Sequence, residues 1–588
     1  MEDLTVRIRE VFPYENPRKG QLELARLVYE SIMESKILLV RYPVGIGKTA
    51  AILAGSLASE APRIIYLAHT KSQFQAPLRE IARLEERGIE VPVVTLTSKK
   101  DLCLLPRTLL REMDQKRFLR FCARKTLSGE CPFKVSKCSC NLPNVLTTSI
   151  LRKIGREMGV CPYEIAWEAV RSAKLIVASY VYLFDPRLSE LLVKRGGVSF
   201  SESIVIVDEA HNLTRFISES LSSELQIGVI KAAIREVQRY GSQEESFVAD
   251  ALTRLSSLLK KKASDDGSEI PVELFLEIAP HSSTLSRVAA VIEGRMGGFP
   301  KIWQVADFVG EVENMPSDSV LLAVRQDVDA AFKTFFFNVP RIARRVFESV
   351  KAAVMLSATL PPKEYYVAVL GINEKRLKEA SYPFTWGENV TLIIHKGISS
   401  RYAERTPELY RRYAKLIDEV FSDPETEHLM VVFPSYSFML ETYPFVFSKP
   451  RFLEKHDTQI EEVLEFLASH EKCLVMMTAW GKFSEGVEFR VLRRNLIDTI
   501  IIAGLPVPPP SPVNQKLVER LKSTAGNKEW AWKQIYLYPA LMRVLQIIGR
   551  GVRTESDRVR VYLLDERAAE DESLRFLEDY GLSFSIIG

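Results

Sequence analysis

The chain has 588 residues, too many for one hydrophobic core, and at about 150 residues per domain it should divide into three or four domains. Hydrophobic residues make up 46% and charged residues 26%, as in soluble globular proteins, and 79 basic against 75 acidic residues leave a net charge of only +4, which neither demands nor excludes nucleic acid. No apolar run reaches the roughly 18 residues of a membrane span, and Met1-Glu2-Asp3-Leu4 begins no signal peptide, so a soluble, cytoplasmic and monomeric protein is expected.

In chain order, short β-branched runs recur at Ile37–Val40, Ile64–Leu67, Ile204–Val207, Val354–Leu356, Leu429–Phe433, Cys473–Met476, Thr499–Ile502 and Val559–Leu564. Each is apolar and ends on turn or polar residues, the pattern of buried parallel strands. Helical stretches lie between many of them, so the core is α/β. Two segments break the rhythm. Lys99 to about Ser172 gathers six of the seven cysteines and many basic residues, which in a large intracellular chain points to a metal or redox site rather than a disulfide framework. The stretch from about Leu213 to Phe347 is mainly helical, with Ile227, Ile230, Ile234 and Val237 on one face and Leu252, Leu255 and Leu259 on another.

The first strand runs into Tyr42-Pro43-Val44-Gly45-Ile46-Gly47-Lys48-Thr49 and then a helix over Ala50–Ala58. Gly45 and Gly47 let the backbone turn its N–H groups onto phosphate oxygens. Lys48 reaches the β- and γ-phosphates, and Thr49 offers a hydroxyl to Mg²⁺. Tyr42 replaces the usual first glycine of such a loop. The partner motif is Ile204-Val205-Ile206-Val207-Asp208-Glu209-Ala210-His211, in which a buried strand delivers Asp208 to Mg²⁺ and Glu209 as the base for an attacking water. Together these motifs read as an ATPase.

Downstream, Ser357-Ala358-Thr359 follows the strand Val354–Leu356, and Gly481-Lys482-Phe483-Ser484-Glu485-Gly486-Val487-Glu488-Phe489 follows the strand from Cys473. Gln546-Ile547-Ile548-Gly549-Arg550-Gly551-Val552-Arg553 has helical character. Arg550 and Arg553, three apart, are expected on one helical face, where two guanidinium groups stabilise a transferring γ-phosphate. Two α/β cores, one with the phosphate loop and one with the arginines, imply a cleft that ATP closes.

In order, these motifs resemble the superfamily two helicases of the xeroderma pigmentosum group D (XPD) type and the bacterial DinG relatives. Further motifs that carry the resemblance are Arg18-Lys19-Gly20-Gln21, Tyr66-Leu67-Ala68-His69-Thr70 and Phe433-Pro434-Ser435-Tyr436. The two insertions fall where that family has its iron–sulfur and arch domains. The resemblance therefore implies two RecA-like parallel-sheet motor domains, the first discontinuous over 1–98, 173–212 and 348–375 and the second over 376–588, with a cluster domain at 99–172 and a mainly helical arch at 213–347. It implies ATP binding by Gln21 and Gln546, and coupling of hydrolysis to movement by Ser357 and Thr359. It also implies 5′→3′ translocation on single-stranded DNA with unwinding of tailed or forked duplex, in DNA repair alongside repair proteins. Glu488 departs from the family's more frequent Asp.

Ser98-Lys99-Lys100-Asp101-Leu102-Cys103 and Cys161-Pro162-Tyr163 resemble the entry to and exit from the family's cluster domain. The middle ligands come from Cys122, Cys131, Cys138 and Cys140. Cys131-Pro132-Phe133 has the strongest resemblance and Cys122 precedes it, giving Cys103, Cys122, Cys131 and Cys161. Four thiolates suit either a [4Fe–4S] cluster or zinc, and the resemblance selects iron. Cys473 reads as a small buried hydrophobe. Lys99, Lys100, Tyr180, Tyr182 and Tyr436 are the candidate DNA contacts, as cations and stacking rings. Two rivals are an RNA helicase and a DNA-bound scaffold whose ATPase only gates attachment.

Overall fold

The computed structural model describes residues 2–42, 46–111, 113–133, 142–326, 329–382, 389–455, 457–481, 489–491, 494–552 and 557–588. Every strand expected from the apolar runs forms. Eight strands make the first sheet, in the order Leu377–Ser381, Ile37–Arg41, Ala352–Ser357, Ser203–Asp208, Arg63–Ala68, Leu175–Ser179, Val93–Leu96 and Val145–Leu146. Seven make the second, in the order Arg451–Leu453, Cys473–Thr478, His428–Phe433, Thr499–Ile502, Val559–Leu563, Val390–His395 and Phe584–Ile587. All neighbours in both sheets are parallel.

Both sheets are covered on two faces, which is why their strands are apolar throughout rather than alternating. In Ile37–Arg41, Leu39 packs into one core with Trp167 and Phe347, while Leu38 and Val40 pack into another with Leu24 and Ile52. Cys473 is wholly buried at the start of its strand, as a small hydrophobe, and burial pushes its thiol up to about 12.

Register assembles the site. Arg41 lies opposite Ser357, and Leu356 opposite Asp208. The carboxyl ends of three adjacent strands therefore deliver the phosphate loop, Ser357 and Asp208 to one edge, where ligands of open parallel sheets bind.

The insertions are narrower than the sequence suggests. Val145–Leu146 joins the first sheet, and the helices Thr148–Met158 and Pro162–Val170 bury Leu151, Ile165 and Trp167 in the first motor core. Leu213–Ser220 and Val339–Ser349 likewise pack there through Leu213, Ile217, Ala343 and Phe347. Leu377–Ser381, beyond the expected boundary, is also a strand of the first sheet.

The arch holds the expected helices Ile227–Tyr240 and Ser246–Lys262, and it also carries a four-stranded antiparallel sheet of Glu224–Gln226, Asp329–Phe336, Ser319–Gln326 and Ser268–Ile270. The helix Gln115–Leu127 of the cysteine-bearing insertion meets the arch through the ion pairs Arg120–Asp307 and Lys116–Glu311 and through a two-pronged Arg124–Glu293 contact at 2.8 and 3.0 Å. No helix among the described residues is long and apolar enough to cross a membrane.

Candidate active site

The phosphate loop closes on Gly47, which caps the helix Lys48–Ala58 at φ +82°. A side chain there would be strained, and its Cβ would lie 2.4 Å from Gln21 Nε2. Gln21 is buried against the loop, donating to the carbonyls of Ile46 at 2.8 Å and Gly47 at 3.1 Å, while its Oε1 accepts from Arg18 N at 2.7 Å. In this structure Gln21 thus braces the loop backbone. Lys48 Nζ donates to the Tyr42 carbonyl at 2.9 Å. The Tyr42 ring is buried 5.2 Å from that of Tyr382, so the tyrosine at the loop's first position serves packing. Gly45 lies outside the described residues.

Tyr66, on the adjacent strand Arg63–Ala68, ties the loop to the acidic motif. Its hydroxyl donates to Asp208 Oδ2 at 2.8 Å and accepts from Thr49. Burial first, and Glu209 second, push the Asp208 carboxyl up to about 6, against the opposing pull of Tyr66 and Lys48. A divalent cation would relieve both causes, which suits Asp208 and Thr49 as holders of Mg²⁺. Glu209 sits at φ +49°, ψ 49°, a left-handed conformation that a non-glycine residue keeps only when its surroundings enforce it. Tyr180 supplies part of that enforcement, its hydroxyl donating to the carbonyls of Asp208 and, at 3.0 Å, of Glu209.

From Glu209 a chain of hydrogen bonds crosses the molecule. Ser357 Oγ donates to Glu209 Oε2 at 2.8 Å, His211 Nδ1 lies 2.7 Å from Ser357 Oγ, and Gln546 Nε2 lies 3.1 Å from His211 Nε2. The Gln546 amide is a donor, so it fixes His211 Nε2 as acceptor and places the imidazole proton on Nδ1, facing Ser357. All three bonds then donate toward the carboxylate. Gln546 and Arg550 share the helix Tyr538–Gly551, and Arg550 is buried near its end. That helix stops at Gly551 and Val552 is extended, so the single helical face expected to carry both Arg550 and Arg553 ends before residue 553. Arg553 lies outside the described residues, as do residues 482–488. Thr359 is buried, its backbone N–H donating to Ser357 Oγ at 3.3 Å.

The four cysteines chosen from the sequence are half-buried and share one region. Cys103 ends the helix Lys99–Leu102, Cys122 lies within Gln115–Leu127, and Cys161 caps Pro162–Val170. Burial raises the Cys103 thiol, and Cys122, Cys161 and Cys131 all act on it in the same direction. Four thiols are a donor set that a thiolate-bound centre uses, although among the described residues no three such side chains stand close enough to close on a metal as placed. Cys138 and Cys140 lie outside the described residues.

The expected DNA contacts fare unevenly. Tyr180 and Tyr182 are not exposed rings on an extended stretch. Tyr180 is fully buried before the short helix Val181–Phe184, and Tyr182 is 4% exposed with its hydroxyl on the Thr97 carbonyl at 2.7 Å. Their hydroxyls hold the first motor core together, and neither ring is available to a polymer. Lys99 lies over the Tyr163 ring at 5.3 Å and beside the Cys122 thiol, and Lys100 donates to the Met113 carbonyl, so both turn inward. Tyr436 is half-buried at the start of Tyr436–Thr442. Tyr66 and His211 stand within motifs whose spacing assigns them no role; an aromatic hydroxyl or imidazole beside an acidic pair is the signal that marks them.

Two parallel-sheet domains, a phosphate loop, an acidic pair and a hydrogen-bonded link between the domains define an ATP-driven motor of helicase superfamily two. Residues 66–229 match the DEAD_2 family and residues 419–580 the Helicase C-terminal domain family. The chain is 24% identical over 570 residues to the ATP-dependent DNA helicase XPD of Sulfolobus acidocaldarius, covering 94% of this chain and 96% of that one. It is 23% identical over 628 residues to a regulator of telomere elongation helicase 1 homolog of Drosophila erecta, covering 88% of this chain but only 63% of that protein. The fold matches a solved XPD helicase at a TM-score of 0.75 with 22% identity, over 97% of this chain and all of the other, and S. tokodaii Xpd4 at 0.65 with 17% identity, over 97% and 100%. The chain belongs to the XPD-type helicase family.

Proposed function

We propose that the protein is an ATP-dependent DNA helicase that moves 5′→3′ on single-stranded DNA, unwinds tailed or forked duplex during DNA repair, and carries a [4Fe–4S] cluster on Cys103, Cys122, Cys131 and Cys161. The hydrogen-bonded chain from Glu209 through Ser357 and His211 to Gln546 carries the motor reading, because it links the hydrolytic carboxylate of one domain to a helix of the other. Lys48 and the loop N–H groups hold the phosphates, and Thr49 and Asp208 hold Mg²⁺. Glu209 polarises the attacking water, and Arg550, with Arg553, meets charge developing on the γ-phosphate. Closing the cleft at each ATP bound, and releasing it after hydrolysis, converts turnover into steps along a strand.

The choice of DNA is supported by the S. acidocaldarius relative, which is named a DNA helicase, and the polarity and the repair setting by the resemblance of the motif order to XPD-type helicases. The cluster is supported by the resemblance of the cysteine segment to the family's cluster domain, and by Cys122, Cys131 and Cys161 all acting on the Cys103 thiol. When bound, it would stiffen the small domain against the arch. ATP turnover with single-stranded DNA or RNA, and iron content after anaerobic purification, test this reading. Stimulation by DNA above RNA is expected, with about four irons per chain. Iron should be lost in C122S and C131S but retained in C138S and C140S. Stimulation by RNA alone, or zinc in place of iron, would overturn the corresponding part.

A further inference from the structure

A cavity of about 900 Å³ opens between the two motor domains and the base of the arch, and His211 and Gln546 line part of it. Its walls carry Arg215, Arg341, Arg344, Arg345, Arg520 and Arg543 against only Glu219 and Glu348, a cationic surplus even with Arg215 paired to Glu219 at 2.8 Å. Trp480, just beyond the strand Cys473–Thr478, lies on this wall and is 40% exposed. The Arg543 guanidinium sits 4.5 Å from the centre of an indole ring of Trp480 and is itself only 5% exposed. Gln534 lines the same cavity on the π-helical turn Lys533–Leu537; it is 2% exposed, and its Oε1 has no hydrogen-bond partner. Such turns recur at functional sites, and a buried unpaired amide oxygen calls for a donor.

We propose that Trp480, braced by Arg543, is a base-stacking platform for single-stranded DNA in this cavity, and that Arg543 passes strand occupancy to the ATP site. This rests on the reading of the chain as a DNA-stimulated motor. Cations for a phosphodiester backbone beside an exposed, braced ring are what single-strand tracks combine. The link to hydrolysis is one helix. Arg543, Gln546 and Arg550 fall at positions i, i+3 and i+7 of Tyr538–Gly551 and so share a stripe. A base docking on Trp480 loads the first of these residues, the second holds His211, and the third is the buried Arg550 near the helix end.

The test uses the full chain, fluorescein-labelled oligo-dT and ATP turnover. W480A should bind oligo-dT about 5- to 150-fold more weakly, the range for losing one stacked base, and need correspondingly more DNA for half-maximal stimulation. W480F should recover most of both. Quenching of tryptophan fluorescence by oligo-dT should drop in W480F, a readout that does not depend on W480A folding. Wild-type affinity and stimulation in W480A, losses in W480F equal to those in W480A, or unchanged quenching in W480F would each overturn the platform while leaving the helicase reading intact. A wild-type protein that neither binds nor responds to oligo-dT would overturn both.

Discussion

The side-chain amide of Gln546 donates to His211 Nε2 across 3.1 Å, so a hydrogen bond from the second motor domain ends on the acidic motif of the first. Q546L keeps the volume and removes the donor. It should lower kcat about tenfold, the equivalent of one hydrogen bond near 1.4 kcal/mol, with a smaller change in KM for ATP. Steady-state ATP turnover at saturating DNA checks this, and an unchanged kcat would remove Gln546 from the coupling path.

The proposed mechanism makes Glu209 the base and Lys48 the phosphate anchor. E209Q should reduce turnover by about 10²- to 10⁴-fold while ATP still binds, and K48A should abolish hydrolysis while oligonucleotide binding survives. Near-normal turnover in either variant contradicts its assigned role.

The sequence made the motor legible because its chemistry is local. The runs ending at Val40, Val207 and Leu356 place the phosphate loop, Asp208 and Ser357 at one sheet edge, and parallel register does the rest, setting Arg41 beside Ser357 and Leu356 beside Asp208. What stayed illegible was tertiary. Tyr180 looks like an available ring from its neighbours, but its hydroxyl is drawn inward by carbonyls at residues 208 and 209. Trp480 stands alone in sequence and gains meaning only from Arg543, 63 positions on, across the cavity wall. The arch sheet escaped notice because two of its strands are three residues long.

Y180F separates these two accounts of that tyrosine. It leaves the half-buried carbonyls of the Asp208–Glu209 turn short of a donor, a loss of about 1–3 kcal/mol. A lower melting temperature and slower turnover are expected, with oligo-dT affinity within about twofold of wild type. A large loss of affinity with stability intact would restore Tyr180 as a DNA contact.

Asp565 is fully buried at the carboxyl edge of the second sheet, where Arg567 Nε and Ser400 Oγ donate to it at 2.8 and 2.6 Å. Burial alone would raise its carboxyl, but Arg567, Ser400 and the Leu505 N–H together hold it below the ordinary 3.8. A depressed carboxylate contributes stability above its unfolded pKa and loses it as pH falls through the folded one. D565N should therefore be less stable than wild type by about 3–5 kcal/mol near pH 7, and the gap should narrow only below about pH 4 in denaturant titrations. A gap that widens on acidification contradicts this sign.

Strand displacement on duplexes with a single-stranded tail at either the 5′ or the 3′ end tests the motor most directly. With ATP and Mg²⁺, the protein should release the strand from 5′-tailed duplex and leave 3′-tailed duplex intact, with no release for K48A. Release only from 3′-tailed duplex would contradict the polarity. ATP turnover without displacement on either substrate would contradict the helicase itself.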